Sequence, residues 1–180
     1  MAKQKLKNPN QNAFIHCPCC GQPTLGPGTE KSFVCSACQF VFYINCAAAT
    51  MAVIVNKENQ LLVTRRKHDP FKGTLDLPGG FSEPGESIEQ SLIREVREEL
   101  NIAITHLAYL CSVPNIYPYK SVIYPVTDMA FVCEVNSFDT MEARDDVSDV
   151  YFVDLPKFDT RLFGLSSPKK VIEIYRRLSD

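Results

Sequence analysis

The sequence predicts an α/β domain preceded by a small cysteine-rich module. Short apolar runs alternate with two stretches whose apolar residues recur every three or four positions, a pattern typical of strands combined with amphipathic helices. Two C-x2-C pairs stand before the first of these runs. A chain of 180 residues, of which 45% are hydrophobic and 22% charged, can bury one ordinary core and carry a small appended module.

The cysteine-rich module lies in residues 1–46. Cys17 and Cys20 form the first pair, Cys35 and Cys38 form the second, and two such pairs complete the tetrahedral shell of a structural zinc ion. Cys19 competes with Cys20, but the C-P-x-C-G frame places a glycine directly after Cys20 and favours it. The segment between the pairs is rich in Pro and Gly, so we expect zinc to stabilise a ribbon here. A redox or incidental cysteine cluster is the alternative.

Six segments after this module are predicted to be strands. Residues 48–55 and 61–65 are apolar and are separated by the polar segment 56–60, which predicts a hairpin. The remaining predicted strands are 75–77, 102–111, 127–135 and 150–153.

Two helices are predicted as well. The first follows Pro78, Gly79 and Gly80, and it has an apolar residue at every fourth position. These residues are Ile88, Leu92, Val96 and Leu100. The last helix is predicted to start at Ser166-Ser167-Pro168. Its apolar stripe comprises Val171, Ile174, Tyr175 and Leu178.

The first helix also carries closely spaced carboxylates. Glu95, Glu98 and Glu99 stand at i, i+3 and i+4, so they project from one arc of the helix, which we expect to face outward. Like charges this close disfavour a helix, and a cation would relieve their repulsion. Mg²⁺ or Mn²⁺ suits a site made of oxygen ligands alone. A solvated surface helix is the alternative for the three glutamates taken by themselves.

A longer pattern surrounds these glutamates. Residues 80–102, GFSEPGESIEQSLIREVREELNI, resemble the signature of the Nudix hydrolases, G-x5-E-x7-R-E-U-x-E-E-x-G-U, in which U is aliphatic. Asn101 stands where the family has Gly, and we expect it to end the helix in the left-handed conformation. The resemblance implies an α/β/α sandwich with a mixed sheet. The chain then divides into a tail and zinc ribbon at residues 1–46 and a Nudix hydrolase domain at residues 47–180.

The resemblance implies metal-dependent hydrolysis of a diphosphate linkage. Glu95, Glu98 and Glu99 would hold Mg²⁺ or Mn²⁺, assisted by a backbone carbonyl at Gly80 or its neighbour. Glu95 could also act as the base. The family often takes a further acidic ligand from a later loop, and we choose Asp146 in the acidic segment 142–146; plain solvation of that segment is the alternative.

Two further residues of the signature have expected supporting roles. Arg94 would orient Glu95 through an ion pair. Glu86 would fix the loop at the start of the helix, where a carboxylate also interacts favourably with the helix dipole. Both residues could equally be structural.

The order of a zinc ribbon and a Nudix domain resembles the NAD(H) diphosphatases. That family carries S-Q-P-W-P-F-P after its signature, whereas residues 112–118 here read SVPNIYP and lack the glutamine and the tryptophan. We favour NAD(H) as the substrate, with ADP-ribose or FAD as alternatives. Tyr117 and Tyr119 could stack on a base, and Lys120 and Arg65 could contact phosphates. Ordinary packing is the alternative for the tyrosines.

Composition and charge exclude several classes. A formal net charge of −2 gives no field that would attract a nucleic acid polymer. No run approaches the roughly 18 apolar residues of a spanning helix, and the first residues lack the apolar segment of a signal peptide. We therefore expect a cytoplasmic enzyme for a small nucleotide derivative, without a membrane or nucleic acid partner, that could form a homodimer. A Nudix-fold regulator that senses a ligand without hydrolysing it is the alternative, but the complete set of glutamates favours the enzyme.

Overall fold

The computed structural model describes residues 7–179, which form two compact units. The first unit contains the chain up to Cys46 together with Ile116–Pro125, and the second contains residues 47–115 and the chain from Val126 onward. Within residues 7–179, neither helix combines the length and the apolar character needed to span a membrane.

The first unit is built around an antiparallel sheet of three short strands in the order β1-β2-β3. The strands are β1 Leu25–Thr29, β2 Ser32–Cys35 and β3 Val41–Tyr43. Phe33 of β2 is fully buried, and the ring of Phe14 packs edge-to-face on it with centroids 5.3 Å apart. The small size of this core is consistent with a module that needs a further source of stability.

Two buried asparagines near the start of the chain join the parts of the first unit. The Asn8 amide donates to the carbonyls of Thr29 and Ser32, at 2.9 and 3.2 Å. Asn10 exchanges two hydrogen bonds with Ile123, because its amide donates to the Ile123 carbonyl at 2.8 Å and its oxygen accepts from the Ile123 N–H at 2.6 Å. The end of the 116–125 hairpin is therefore tied to the N-terminal segment.

The second unit contains two three-stranded sheets, with the orders β4-β8-β7 and β6-β5-β9. Strand β4 pairs with β8 in parallel, whereas β5 pairs with β6 and β9 in antiparallel fashion. The strands are β4 Ala47–Ile54, β5 Gln60–Arg66, β6 Leu75–Asp76, β7 Ile104–Tyr119, β8 Val122–Val135 and β9 Val147–Asp154. The helices are α1 Ile88–Leu100 and α2 Ser166–Ser179.

Each helix of the second unit covers a different core. Ala52 and Ile54 of β4 belong to the core that holds Leu92, Val96 and Leu100 of α1. The alternate residues Met51 and Val53 belong to the core that holds Val171 and Ile172 of α2. Because successive strand residues point to opposite faces, helices lie on both sides of the sheet layer. The predicted α/β/α sandwich and the apolar face of α1 are confirmed.

The predicted hairpin of residues 48–65 is correct only at its turn. Asn56 N–H donates to the Gln60 carbonyl at 3.0 Å, and Val55 bridges Leu61. Beyond this turn, β4 and β5 enter different sheets, since β4 pairs with β8 and β5 pairs with β6 and β9. Pairing with distant strands therefore replaces the local pairing that the sequence suggested.

Two further predictions need correction. The predicted strand 102–111 is part of β7, which continues through Tyr119, so residues 112–118 are also strand. Strand β7 lies at a sheet edge, where Pro114 and Pro118 are tolerated. On α2, Leu178 is 71% exposed and Ile172 is fully buried. The buried stripe of α2 therefore includes Ile172 and excludes Leu178, in contrast to the predicted stripe.

Candidate active site

Helix α1 begins and ends at well-defined caps. The Ser87 hydroxyl accepts from the Gln90 N–H at 3.2 Å, and the Gln90 side chain accepts from the Ser87 N–H at 2.8 Å, which is a capping box. At the other end Asn101 has φ 54° and ψ 30°, so the predicted left-handed end is confirmed. These caps fix which turns of the helix present the glutamates.

The two consecutive glycines before α1 allow a close approach between the loop, strand β4 and the helix. Thr50 N–H donates to the Gly80 carbonyl at 2.8 Å. Gly79 has φ +135°, and a Cβ there would lie 2.2 Å from the Thr50 carbonyl oxygen. A Cβ on Gly80 would lie 2.6 Å from Glu95 Cδ. The Glu95 carboxylate therefore rests directly on the glycine whose carbonyl was predicted as a metal ligand.

Arg94 is the centre of an ion-pair network. Its guanidinium contacts both oxygens of Glu86, with Nε at 2.7 Å and Nη2 at 2.9 Å. Nη1 donates to Glu95 Oε1 at 2.8 Å and to Glu98 Oε2 at 3.0 Å. Glu86 in turn accepts from the Glu83 N–H at 3.0 Å, and Arg94 holds the pKa of Glu86 down at about 2. The ion pair expected between Arg94 and Glu95 is therefore present, while the supporting roles of Arg94 and Glu86 stay predictions.

Glu99 is buried, with 8% exposure, which corrects the expectation that all three glutamates face outward. Its Oε2 accepts from the Gly79 N–H at 3.0 Å. Burial raises the pKa of Glu99 well above its usual range, although the hydrogen bond from Gly79 acts to lower it. The nearby charges of Glu95, Asp76 and Asp146 raise the pKa further. The Gly79 N–H therefore binds a carboxylate that the fold largely removes from solvent.

Glu95 has a raised pKa for a related reason. Its partial burial disfavours the charged form, and this effect exceeds the opposing influence of Arg94. The charges of Glu98 and Asp145 add to the increase. A carboxyl whose pKa is moved upward holds a proton more readily, as a general base must.

The donor atoms at this site fit a hard divalent cation. Glu95 and Glu98 each use one oxygen for Arg94, and Glu99 uses one for Gly79. The other oxygen of each carboxylate accepts no hydrogen bond from the described part of the chain. Together with the Gly80 carbonyl they offer oxygen ligands alone, as Mg²⁺ and Mn²⁺ prefer. In the structure these oxygens do not form a compact cluster. Among residues 7–179, the four cysteines are the one group of three or more potential metal ligands whose ligand atoms all lie within 4.8 Å of one another.

Asp146 and Arg65 lie in the same unit as these glutamates. Asp146 is 75% exposed, and its Oδ1 lies 3.7 Å from His68 Nε2. Arg65 donates to the Gly73 carbonyl at 2.7 Å and to the Tyr151 hydroxyl at 2.9 Å. Their predicted roles, as a metal ligand and a phosphate contact, stay predictions.

The other predicted substrate contacts lie in the first unit. Tyr117, Tyr119 and Lys120 belong to the Ile116–Pro125 hairpin end. The Lys120 ammonium lies 5.3 Å from the centroid of the Tyr119 ring, and Tyr119 is 47% exposed. Their contact with substrate stays a prediction.

The cysteine cluster has the geometry of a tetrahedral metal site. Cys17 Sγ lies 3.7 Å from Cys38 Sγ, and Cys20 Sγ lies 3.7 Å from Cys35 Sγ. Tetrahedral Zn–S bonds of about 2.3 Å place sulfurs roughly 3.8 Å apart, so the cluster fits zinc. The Thr24 hydroxyl, 3.1 Å from Cys35 Sγ, holds the pKa of the Cys35 thiol down at about 6. Cys19 is exposed and lies outside the cluster, as expected.

Comparison with known proteins decides the family. The family model of the NUDIX domain matches residues 47–173, which is most of the chain. This chain belongs to the Nudix family. The signature that the sequence carries at residues 80–102 therefore stands within a Nudix domain.

Relatives and solved structures of this Nudix protein carry hydrolase names. It is 32% identical to the ADP-ribose pyrophosphatase of Methanocaldococcus jannaschii over 77% of this chain and 78% of that protein. It is 26% identical to the NAD-capped RNA hydrolase NudC of Pseudomonas putida over 88% of this chain, which spans only 55% of that relative. A NUDIX hydrolase structure from Nitrosomonas europaea has the same fold, with a TM-score of 0.67, 19% identity and coverage of 92% and 93% of the two chains.

Some residues of this Nudix site were missed from the sequence. Gly79 holds Glu99 through its N–H, and the adjacent pair of glycines at the end of a predicted strand was the available signal. Arg97 and Arg144 line the same groove as Glu98. Arg97 lies inside the Nudix signature at a position the pattern leaves open, whereas no local pattern indicates that Arg144 reaches α1.

Alanine at Gly80 is expected to separate activity from stability in this Nudix domain. The three atoms nearest the new methyl group all belong to the flexible end of Glu95, so we expect a melting temperature near wild type. Turnover should fall by roughly 10²-fold, the effect of a misplacement of about 1 Å. Thermal unfolding and steady-state turnover of the purified variant measure both quantities.

The matched variant is Gly79→Ala. Its methyl group would meet the Thr50 backbone, and its positive φ disfavours alanine, so it should lower the free energy of unfolding by at least about 2 kcal/mol. Wild-type turnover in Gly80→Ala would contradict the placement of Glu95.

Proposed function

We propose that this chain hydrolyses the diphosphate linkage of a nucleoside diphosphate derivative with Mg²⁺ or Mn²⁺. The observation that carries the proposal is the set of three carboxylates on α1 within a Nudix domain, with Glu95 against Gly80 and Glu99 bound to the Gly79 N–H. When bound, the metal supplies positive charge for the diphosphate oxygens and makes a water molecule nucleophilic.

The residues of the chain have separate roles in the proposed reaction. Glu95, Glu98, Glu99 and the Gly80 carbonyl would hold the metal, and Glu95 would accept the proton of the attacking water. Glu95 suits that role because its raised pKa brings it closer to the working pH. Arg94, itself held by Glu86, keeps Glu95 and Glu98 in place. Asp146 supplies a further metal ligand from the later loop.

NAD(H) and ADP-ribose are the substrates that we place first, with FAD as a further alternative. The NAD-capped RNA hydrolase named above and the order of zinc ribbon and Nudix domain favour NAD(H). The ADP-ribose pyrophosphatase of M. jannaschii, which matches most of both chains, favours ADP-ribose. Both compounds contain an ADP-ribosyl group with its diphosphate, so one site can accept that shared part. Recognition of the base by Tyr117 and Tyr119, and contact of Lys120 and Arg65 with phosphates, belong to this proposal.

The test offers NADH, ADP-ribose, FAD, a nucleoside triphosphate and an NAD-capped RNA oligonucleotide in parallel with Mg²⁺, and identifies products by chromatography. We expect reduced nicotinamide mononucleotide and AMP from NADH, or ribose phosphate and AMP from ADP-ribose. Glu98→Gln is the control. The capped oligonucleotide also tests the expectation from charge that no nucleic acid polymer is bound.

A regulator that binds ADP-ribose or NAD without cleaving it is the competing function. The retained carboxylates favour the enzyme, because a sensor does not need them. Tight binding of these compounds without product from any of them, with either Mg²⁺ or Mn²⁺, would support the regulator and contradict hydrolysis.

A further inference from the structure

A groove lies along α1 on the side of the helix away from its apolar face, and Glu98 is the carboxylate of α1 that lines it. Its volume is about 630 Å³, within the range of roughly 300–1,000 Å³ typical of sites for small ligands. The polar residues that line this arginine groove are Gln90, Arg94, Arg97, Glu98, Asn101 and Arg144.

The arginine groove contains one guanidinium, that of Arg97, that pairs with no carboxylate of residues 7–179. Arg94 is engaged by Glu86, Glu95 and Glu98. Arg97, in contrast, is exposed and forms neither an ion pair nor a side-chain hydrogen bond with any residue between 7 and 179. An unpaired guanidinium in a groove that Glu98 also lines is available for an anion, and its planar fork matches phosphate oxygens.

Arg144 is held at the same groove by several contacts. Its Nη1 donates to Asn101 Oδ1 at 3.0 Å, its backbone N–H donates to the Glu99 carbonyl at 2.8 Å, and its guanidinium pairs with Glu142. The Asn101 amide also donates to the Thr140 carbonyl at 3.0 Å. Asn101 therefore joins the 140–144 loop to the end of α1.

The position of Asn101 makes this wall of the groove particular to this chain. The Nudix signature has glycine here, and glycine has no side chain that could hold Arg144 or the Thr140 carbonyl. The one departure from the signature thus provides a contact in addition to the left-handed conformation.

We propose that the arginine groove binds a phosphate group of the substrate through Arg97 and Arg144, and that Asn101 positions Arg144. This inference rests on the proposed function, because its ligand is part of the diphosphate substrate. The phosphate can belong to the diphosphate that is cleaved, or it can be an additional phosphate ester carried by the same substrate.

The experiment compares kcat and KM of wild type, Arg97→Gln and Arg144→Lys with NADH, NADPH and ADP-ribose. Arg97→Gln should raise KM about tenfold and change kcat little, since it removes a charge-assisted contact made before and during the reaction. An increase in KM for all three substrates would identify the cleaved diphosphate as the group bound in the groove. An increase confined to NADPH would identify its additional phosphate instead. Unchanged KM in both variants on every substrate would overturn the inference.

Arg177→Gln is the matched control. Arg177 is an exposed arginine on α2 whose only side-chain hydrogen bond among residues 7–179 is to the Glu173 carbonyl, so its replacement changes the charge of the chain equally. It should leave KM at the wild-type value. An equal increase in KM for Arg97→Gln and Arg177→Gln would show a general charge effect and contradict a specific groove.

The role of Asn101 has its own readout. Asn101→Gly should raise KM about threefold, and adding Arg144→Lys to it should give less than the product of the two separate effects, because both act on one contact. Fully multiplicative effects would contradict positioning by Asn101.

Direct binding separates this inference from hydrolysis. ADP with Mg²⁺, titrated calorimetrically, should bind wild type and Arg177→Gln alike and Arg97→Gln about tenfold more weakly. If wild type cleaves none of the substrates, the proposed function fails, and this titration still decides the groove. Equal affinity of all three proteins would overturn it.

Discussion

Glu99→Gln is expected to abolish most of the activity and to stabilise the fold at the same time. Turnover should fall by roughly 10²–10⁴-fold, because the variant would lose a charged ligand that we propose for the metal of the diphosphate chemistry. Glutamine can still accept the Gly79 N–H, while the cost of burying a carboxylate disappears. The melting temperature measured without added Mg²⁺ at pH 8 should therefore exceed that of wild type.

The pH dependence of stability follows from the direction of the Glu99 shift. The folded protein keeps the Glu99 proton at pH values where the unfolded chain has already lost it, since the folded pKa is raised well above 4.5. The contribution of Glu99 to the free energy of unfolding is therefore fully present below the unfolded pKa of 4.5, and it is lost as the pH rises toward the folded pKa. In Glu99→Gln, the free energy of unfolding should therefore decline less than in wild type between acidic and neutral pH.

Glu98→Gln is the companion variant. Glu98 has a side chain that is 49% exposed, and its contact with Arg94 is a surface ion pair of about 0–1 kcal/mol. We expect a similar loss of turnover with a melting temperature near wild type. A large loss of stability in either variant would instead make these carboxylates structural, and contradict their assignment to the metal.

Removal of the ribbon metal is expected to give the largest loss of stability. Structural zinc contributes about 10–16 kcal/mol to the folding of small zinc peptides. The first unit has one small aromatic core around Phe33, which cannot replace that contribution. A zinc-selective chelator, or Cys35→Ser, should therefore unfold the first unit, detected as lost thermal stability together with one zinc ion released per chain.

Cys19→Ser is the matched control for the zinc prediction. Cys19 neighbours the cluster in the sequence, but it is exposed and takes no part in it. Its replacement should release no zinc and leave the melting temperature unchanged. Loss of turnover after zinc removal, with no loss of structure, would contradict a structural ribbon.

Local patterns allowed much of this molecule to be predicted. The periodicity of α1, its left-handed end at Asn101 and the four clustered cysteines depend on residues close together in the sequence. Strand partners and burial depend on distant residues, and there the predictions were wrong. The sheet that β5 joins and the burial of Glu99 are examples.

The arginine groove illustrates the same limit within the site. Arg97 could be placed on α1 from helical spacing alone. Arg144 reaches the groove through a hydrogen bond between residues 43 positions apart, which no local pattern indicates.

The two hydrogen bonds between Asn10 and Ile123 affect how this protein can be divided for expression. A fragment cut at the predicted boundary between residues 46 and 47 would retain the hairpin end but lose its partner at Asn10. The Ile123 backbone N–H and carbonyl would become an unprotected strand edge, flanked by the exposed Ile116 and Tyr119. Such an edge invites pairing between molecules, so the isolated catalytic domain would be prone to aggregate unless the hairpin were shortened.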